Sequence, residues 1–132
     1  MATARADFWV AVVDDDGGAC TAMARLLRAV GMRVDTYSSA EALLAAGPRW
    51  PYDCFVFDVR LTGMTGLELH RRMLELDVHT PVVVVSAHDD PQTRDEARRQ
   101  GAVAFFGKTE PGSLVIDAIE RHAGAPAEHR AS

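Results

Sequence analysis

Residues 8–18 read Phe8-Trp9-Val10-Ala11-Val12-Val13-Asp14-Asp15-Asp16-Gly17-Gly18. The first six are apolar without interruption and rich in β-branching, as in a strand buried on both faces. The run then breaks into three acids and two glycines, which predicts a loop. Met23, Leu26, Leu27 and Val30 follow at i, i+3, i+4 and i+7, the spacing of a helix face, with Gly31 as its stop.

The same alternation continues to the end of the chain. Arg33 to Tyr37 predicts a second strand. Ser38 or Ser39 caps a helix bearing Leu43 and Leu44 that stops at Gly47-Pro48. Cys54-Phe55-Val56-Phe57 predicts a third strand running into Asp58, and Arg60 to Met64 a loop. Thr65 caps a helix with Leu69, Met73 and Leu76 on one face. Pro81-Val82-Val83-Val84-Val85 is the least ambiguous strand, because four valines in a row lose χ1 freedom in a helix. Pro91 to Gln100 predicts a polar helix whose main apolar residue is Ala97, and Ala102 to Phe106 a fifth strand. Pro111 takes the first position of a last helix, with Val115, Ala118, Ile119 and His122 on one face. Five βα units imply a parallel sheet covered on both sides, an open doubly wound α/β sandwich of three layers. One domain is expected over residues 1–123, and residues 124–132 read as a frayed tail or the start of a linker.

Composition fits that picture. The 132 residues suffice for one domain with a real core, and 48% hydrophobic with 25% charged residues is ordinary for a soluble globular protein. A net charge of -5 argues against direct nucleic-acid binding, which needs a basic face. Cys20 and Cys54 lack the spacing of a zinc site and are too few for a disulfide scaffold, so reduced thiols in a cytoplasmic protein are expected. Residues 1–7 do not resemble a signal peptide, and no apolar run is long enough to span a membrane.

In a doubly wound sheet the carboxyl ends of the strands share one rim, where ligands bind. Strand one ends in Asp14 and Asp15, strand three in Asp58 and strand four in Ser86; Lys108 follows strand five. Three carboxylates repel one another and need a cation. Hard oxygen donors without histidine or cysteine suit Mg²⁺ rather than zinc. A carboxylate beside such a metal can attack phosphorus and form an aspartyl phosphate, with Ser86 and Lys108 as donors to the phosphoryl oxygens. Singly, each residue has a plainer reading: acids before a helix are caps, Asp58 a turn residue, Ser86 a loop start and Lys108 a solvated cation. Their joint placement at the strand ends favours the chemical one.

These residues resemble the receiver domains of two-component response regulators. The matching pieces are Val12-Val13-Asp14-Asp15-Asp16, then Phe57 to Leu69 beginning Phe57-Asp58-Val59-Arg60, then Pro81 to Ala87, then Phe105-Phe106-Gly107-Lys108, covering about Phe8 to His122. The resemblance implies a flavodoxin-like sheet of order 2-1-3-4-5. It implies that Asp58 is the phosphoacceptor, and that Asp15 binds Mg²⁺ more directly than Asp14. The backbone carbonyl of Arg60 would be a further metal ligand. Ser86 takes the place of the switch hydroxyl, Lys108 of the family's lysine and Phe105 of the switch aromatic. Arg60 and His88 flank the path of the hydrolytic water and are expected to tune phosphoryl lifetime. The partner would be a histidine kinase or phosphotransfer protein. The helix from Pro91, strand five and the last helix would signal, with a phosphorylation-dependent homodimer through that face, and transcription as the regulated output.

Two departures stand out. Thr109 follows Lys108 where the family usually has proline after a cis bond; a non-proline cis bond costs about 2.5–4 kcal/mol, so the turn is either trans or strained. Gly17-Gly18 is expected to leave the loop after the acids unusually free. Three other functions fit these residues less well. A haloacid-dehalogenase-type phosphatase would use Asp14-Asp15-Asp16, but Gly18 stands where threonine or valine is expected and the chain is short for that fold. A pseudo-receiver docking module has no need of all five polar groups. A flavin site lacks a phosphate-cradling loop after strand one.

Overall fold

The computed structural model describes residues 8–87 and 90–123. Its elements alternate strictly: β1 (Trp9–Val13), α1 (Gly17–Ala29), β2 (Arg33–Tyr37), α2 (Ala40–Ala46), β3 (Cys54–Asp58), α3 (Gly66–Glu75), β4 (Val82–Ser86), α4 (Pro91–Gln100), β5 (Ala104–Gly107) and α5 (Gly112–His122). All strand pairs are parallel and the order is β2-β1-β3-β4-β5, the doubly wound three-layer sandwich expected. The chain order reverses direction at β1, so β1 and β3 lie side by side with their carboxyl ends on one rim.

Successive strand residues face opposite ways, and each face builds its own core. Val10, Val12, Val56, Val83 and Val85 pack with Leu27 of α1 and Val115 and Ile119 of α5. Ala11, Val13, Phe55, Phe57, Val82 and Val84 pack with Leu43 of α2, Leu69 and Met73 of α3 and Ala97 of α4. The uninterrupted apolar strands of the sequence are thus the consequence of helices on both faces. Cys20 and Cys54 are free and buried. No helix of the described residues is long and apolar enough to cross a membrane.

Local chemistry moves several boundaries from where periodicity puts them. Gly17 and Gly18 are the first turn of α1, not a free loop, because the Asp16 side chain accepts the N–H groups of Gly18 and Ala19 at 3.0 and 3.2 Å. Ser39, not Ser38, caps α2. Thr65 caps α3 in a full capping box with Glu68. Ala102 belongs to the end of α4 rather than to β5: Gly101 takes a left-handed conformation (φ 109°) and the Ala102 N–H turns back to the Ala97 carbonyl at 3.0 Å. Pro111 precedes α5 rather than opening it, since its ψ of 134° is extended. On α5 the buried face is Val115, Ile116, Ala118 and Ile119, and His122 is exposed. Leu76 lies just past the end of α3 and is 49% exposed, so it leaves the apolar face assigned to it. Residues 124–132 and His88 lie outside the described residues.

Candidate functional site

The site is built where β1 and β3 end. Val13 pairs with Phe57 across the two strands, so Asp14 and Asp58 emerge side by side. Both are buried, at 5% exposure, while Asp15 faces solvent. One carboxylate oxygen from each of Asp14, Asp15 and Asp58 lies within 4.8 Å of the others. Lys108 enters from the end of β5, where its N–H donates to the Ser86 carbonyl at 2.8 Å. Its Nζ reaches Asp58 Oδ2 at 3.0 Å and Asp14 Oδ2 at 2.9 Å. The Lys108-Thr109 peptide is trans; the cis bond among the described residues is Gly47-Pro48. The lysine therefore reaches both acids without a proline turn.

Hydrogen bonds hold each acid in place. Asp14 Oδ1 accepts the Asp16 N–H at 3.0 Å, and Asp58 Oδ1 accepts the Arg60 N–H at 3.1 Å. Gly66 explains how α3 comes so close: a Cβ there would lie 2.2 Å from the Asp58 carbonyl oxygen, so only glycine lets the helix start against the acid's own backbone. Ser86, buried in β4, follows Val85, the register partner of Asp58. With Val59, Arg60, Leu61, Thr65 and Thr93 it lines a cleft of about 390 Å³ beside Asp58.

The charges do not balance. Burial raises the Asp58 carboxyl above its ordinary range, the Lys108 hydrogen bond pulls it down, and the neighbouring Asp14 charge pushes it up again; the net direction is upward. Burial alone would lower the Lys108 ammonium, but its bonds to Asp14 and Asp58 outweigh that and hold it above its ordinary value. One lysine thus pairs with two of the three clustered carboxylates, and the surplus is negative. Three hard oxygen donors, with no histidine or cysteine joining them among the described residues, fit a small divalent cation such as Mg²⁺.

Phe105 is buried in β5, and the Arg94 guanidinium of α4 stands 4.8 Å over its ring and donates to its carbonyl at 3.2 Å. Glu110 lies 3.8 Å from Arg94 and accepts the Gly107 N–H at 2.7 Å. The structure therefore gathers Asp14, Asp15, Asp58, Ser86 and Lys108 at one rim, with Arg60 beside Asp58 and Phe105 on the neighbouring face. Sequence reasoning missed Thr62, Gly66, Arg94 and Glu110. For Gly66 a signal existed, since a glycine at the start of a helix invites the question of what lies against it.

A doubly wound 2-1-3-4-5 sheet with this set of groups at its switch point defines a receiver fold, and the response regulator receiver domain family model matches residues 10–120. The chain belongs to that family. It is 36% identical over 115 residues to the transcriptional regulatory protein FixJ of Rhizobium meliloti (strain 1021), covering 87% of this chain and 56% of that protein. It is 36% identical over 97 residues to the response regulator protein TmoT of Ectopseudomonas mendocina, covering 74% of this chain and 44% of that protein. The chain thus spans about half the length of the curated relatives it matches. The crystal structure of FixJ-N superposes with a TM-score of 0.82 at 34% identity, over 88% of this chain and 93% of that one. The chain is a receiver domain of the two-component signalling type.

Proposed function

We propose that Asp58 accepts a phosphoryl group from the phosphohistidine of a histidine kinase or phosphotransfer protein in the cytoplasm. The observation that carries this is Asp58 itself: a buried carboxylate at the end of β3, with the Lys108 ammonium at 3.0 Å and oxygens of Asp14 and Asp15 within 4.8 Å. In the reaction an Asp58 carboxylate oxygen forms a bond to phosphorus while the bond from phosphorus to the donor histidine nitrogen breaks. The electron pair of that bond leaves with the imidazole. Lys108 and the Ser86 hydroxyl donate to the phosphoryl oxygens, whose charge grows in the transition state. Asp14, Asp15, Asp58 and the backbone carbonyl of Arg60 would hold Mg²⁺, which supplies charge neutralisation for the incoming phosphate. The side chains of Arg60 and His88 tune how long the product lasts.

Once Lys108 and Ser86 turn to the phosphoryl group, β4 and β5 adjust, Phe105 follows, and the α4–β5–α5 face changes its preferred arrangement. That face is also the candidate surface for a phosphorylation-dependent homodimer. The names of FixJ and its kind support an output in transcription, exerted through a separate or further domain, with no direct contact between this acidic domain and nucleic acid. A dehalogenase-type reaction would need Asp14 as nucleophile, whereas the family model that matches residues 10–120 is that of the receiver domain.

Incubation with acetyl phosphate followed by intact mass tests the reading. One added phosphoryl group is expected, dependent on Mg²⁺ and absent in Asp58→Asn. No adduct on the wild-type chain, or an adduct that persists in Asp58→Asn, overturns it.

A further inference from the structure

Of the three acids at the rim, Asp15 is the exposed one. An exposed carboxylate ordinarily samples several rotamers, and a cation that needs one of them must first restrict it. Asp15 is not left to sample. Thr62, 47 residues away in the loop between β3 and α3, donates twice to the same oxygen, Oδ2: its backbone N–H at 2.9 Å and its hydroxyl at 2.7 Å. Two bonds from one residue fix both the position and the turn of the carboxylate, and both are spent on a single oxygen.

We propose that Thr62 is a positioning residue for the divalent cation. By holding Asp15 Oδ2, it presents Oδ1 to an ion shared with Asp14 and Asp58. This rests on the metal reading above and adds to it a residue that touches neither the ion nor the phosphoryl group. The geometry also ties the loop carrying Arg60 to the loop carrying the acids, so a cation that orders one orders the other. Outer partners of a metal ligand act in this way, by fixing the ligand's orientation before the ion arrives. Valine has the shape of threonine but no donor on its side chain, and serine keeps the donor while dropping the methyl group, so the pair isolates the hydroxyl.

The test is Mg²⁺ binding to the full chain by isothermal titration calorimetry, with melting temperature measured in EDTA. Thr62→Val is expected to raise the Mg²⁺ Kd about tenfold, the low end of the outer-shell range, with an unchanged melting temperature in EDTA. Thr62→Ser is expected to restore affinity to within about twofold, since the hydroxyl donor is retained. A Thr62→Val affinity equal to wild type overturns the proposal, as does a loss that serine does not restore. Wild-type chain that takes up no Mg²⁺ overturns the metal reading beneath it instead, so the two failures are distinct. If Thr62→Val does not fold, hydrogen exchange of the Thr62 amide in the wild type decides: slower exchange on adding Mg²⁺ supports the clasp, and an unchanged rate overturns it.

Discussion

Strand β3 has a buried aspartate at each end, and the two are held in opposite ways. Asp53, immediately before the strand, is fully buried and locked to β1 by a reciprocal pair: its Oδ2 accepts the Trp9 N–H at 2.8 Å and its own N–H donates to the Trp9 carbonyl at 2.7 Å. Asp58, the last residue of the strand, shares a lysine with a second buried acid and keeps a surplus of negative charge. The first arrangement stitches two strands together at the rim away from the chemistry. The second stores repulsion at the rim proposed to perform it. Burial of an acid is therefore not informative in itself; what faces the acid decides whether it serves stability or reaction.

The contrast can be sharpened by experiments of decreasing size. Saturating Mg²⁺ relieves only the Asp58 end, so at a hundredfold excess over Kd it should stabilise the wild type by about 2.7 kcal/mol in urea unfolding. That increment should survive in Asp53→Ala and largely vanish in Asp58→Asn; equal increments in both variants would erase the distinction. Asp53→Ala should itself cost about 2 kcal/mol, with or without Mg²⁺, because it leaves the Trp9 N–H without its carboxylate partner.

The smallest effect has a sign that depends on pH. The Asp58 carboxyl titrates above its ordinary range, chiefly through burial and despite Lys108. The folded state then holds that proton more tightly than the unfolded state, so stability falls as pH rises through the window between the two values. Above the window the full penalty is present; below the ordinary carboxylate range it is gone. Asp58→Asn should accordingly gain about 1 kcal/mol at neutral pH, since it removes a buried like charge and still leaves Lys108 paired with Asp14. The gain should shrink on acidification. A loss of stability at pH 7 would mean that the Lys108 pair outweighs the repulsion.

The alternation of strands and helices was readable because it is a local property: valine runs, i/i+3/i+4 spacing and capping residues each report on a few neighbours. Asp14, Asp58, Ser86 and Lys108 were readable because the topology carries strand ends to a common rim. Thr62 was not, because its bonds to Asp15 join two loops 47 residues apart and leave no periodic trace. Asp53 was missed for a similar reason, since its partner is the backbone of another strand. The glycines after Asp16 were misjudged because propensity argues for freedom where a cap enforces a helix. His122 shows the limit of counting turns: it follows Val115, Ala118 and Ile119 at helical spacing, yet at the end of α5 it is exposed.

Helix α4 contributes one buried side chain to the protein, the methyl group of Ala97. Its other attachments are polar and peripheral: Arg94 to Phe105 and Glu110, and Gln100 to the Leu67 carbonyl at 2.8 Å. Giving up one buried methyl forfeits roughly 0.8 kcal/mol, and polar grips can be traded for water or for another partner. Under the proposed phosphorylation of Asp58, α4 is the helix with the fewest buried side chains to give up in a sideways step. A helix anchored by larger apolar side chains, as α3 is by Leu69 and Met73, would resist the step that this proposal asks of α4.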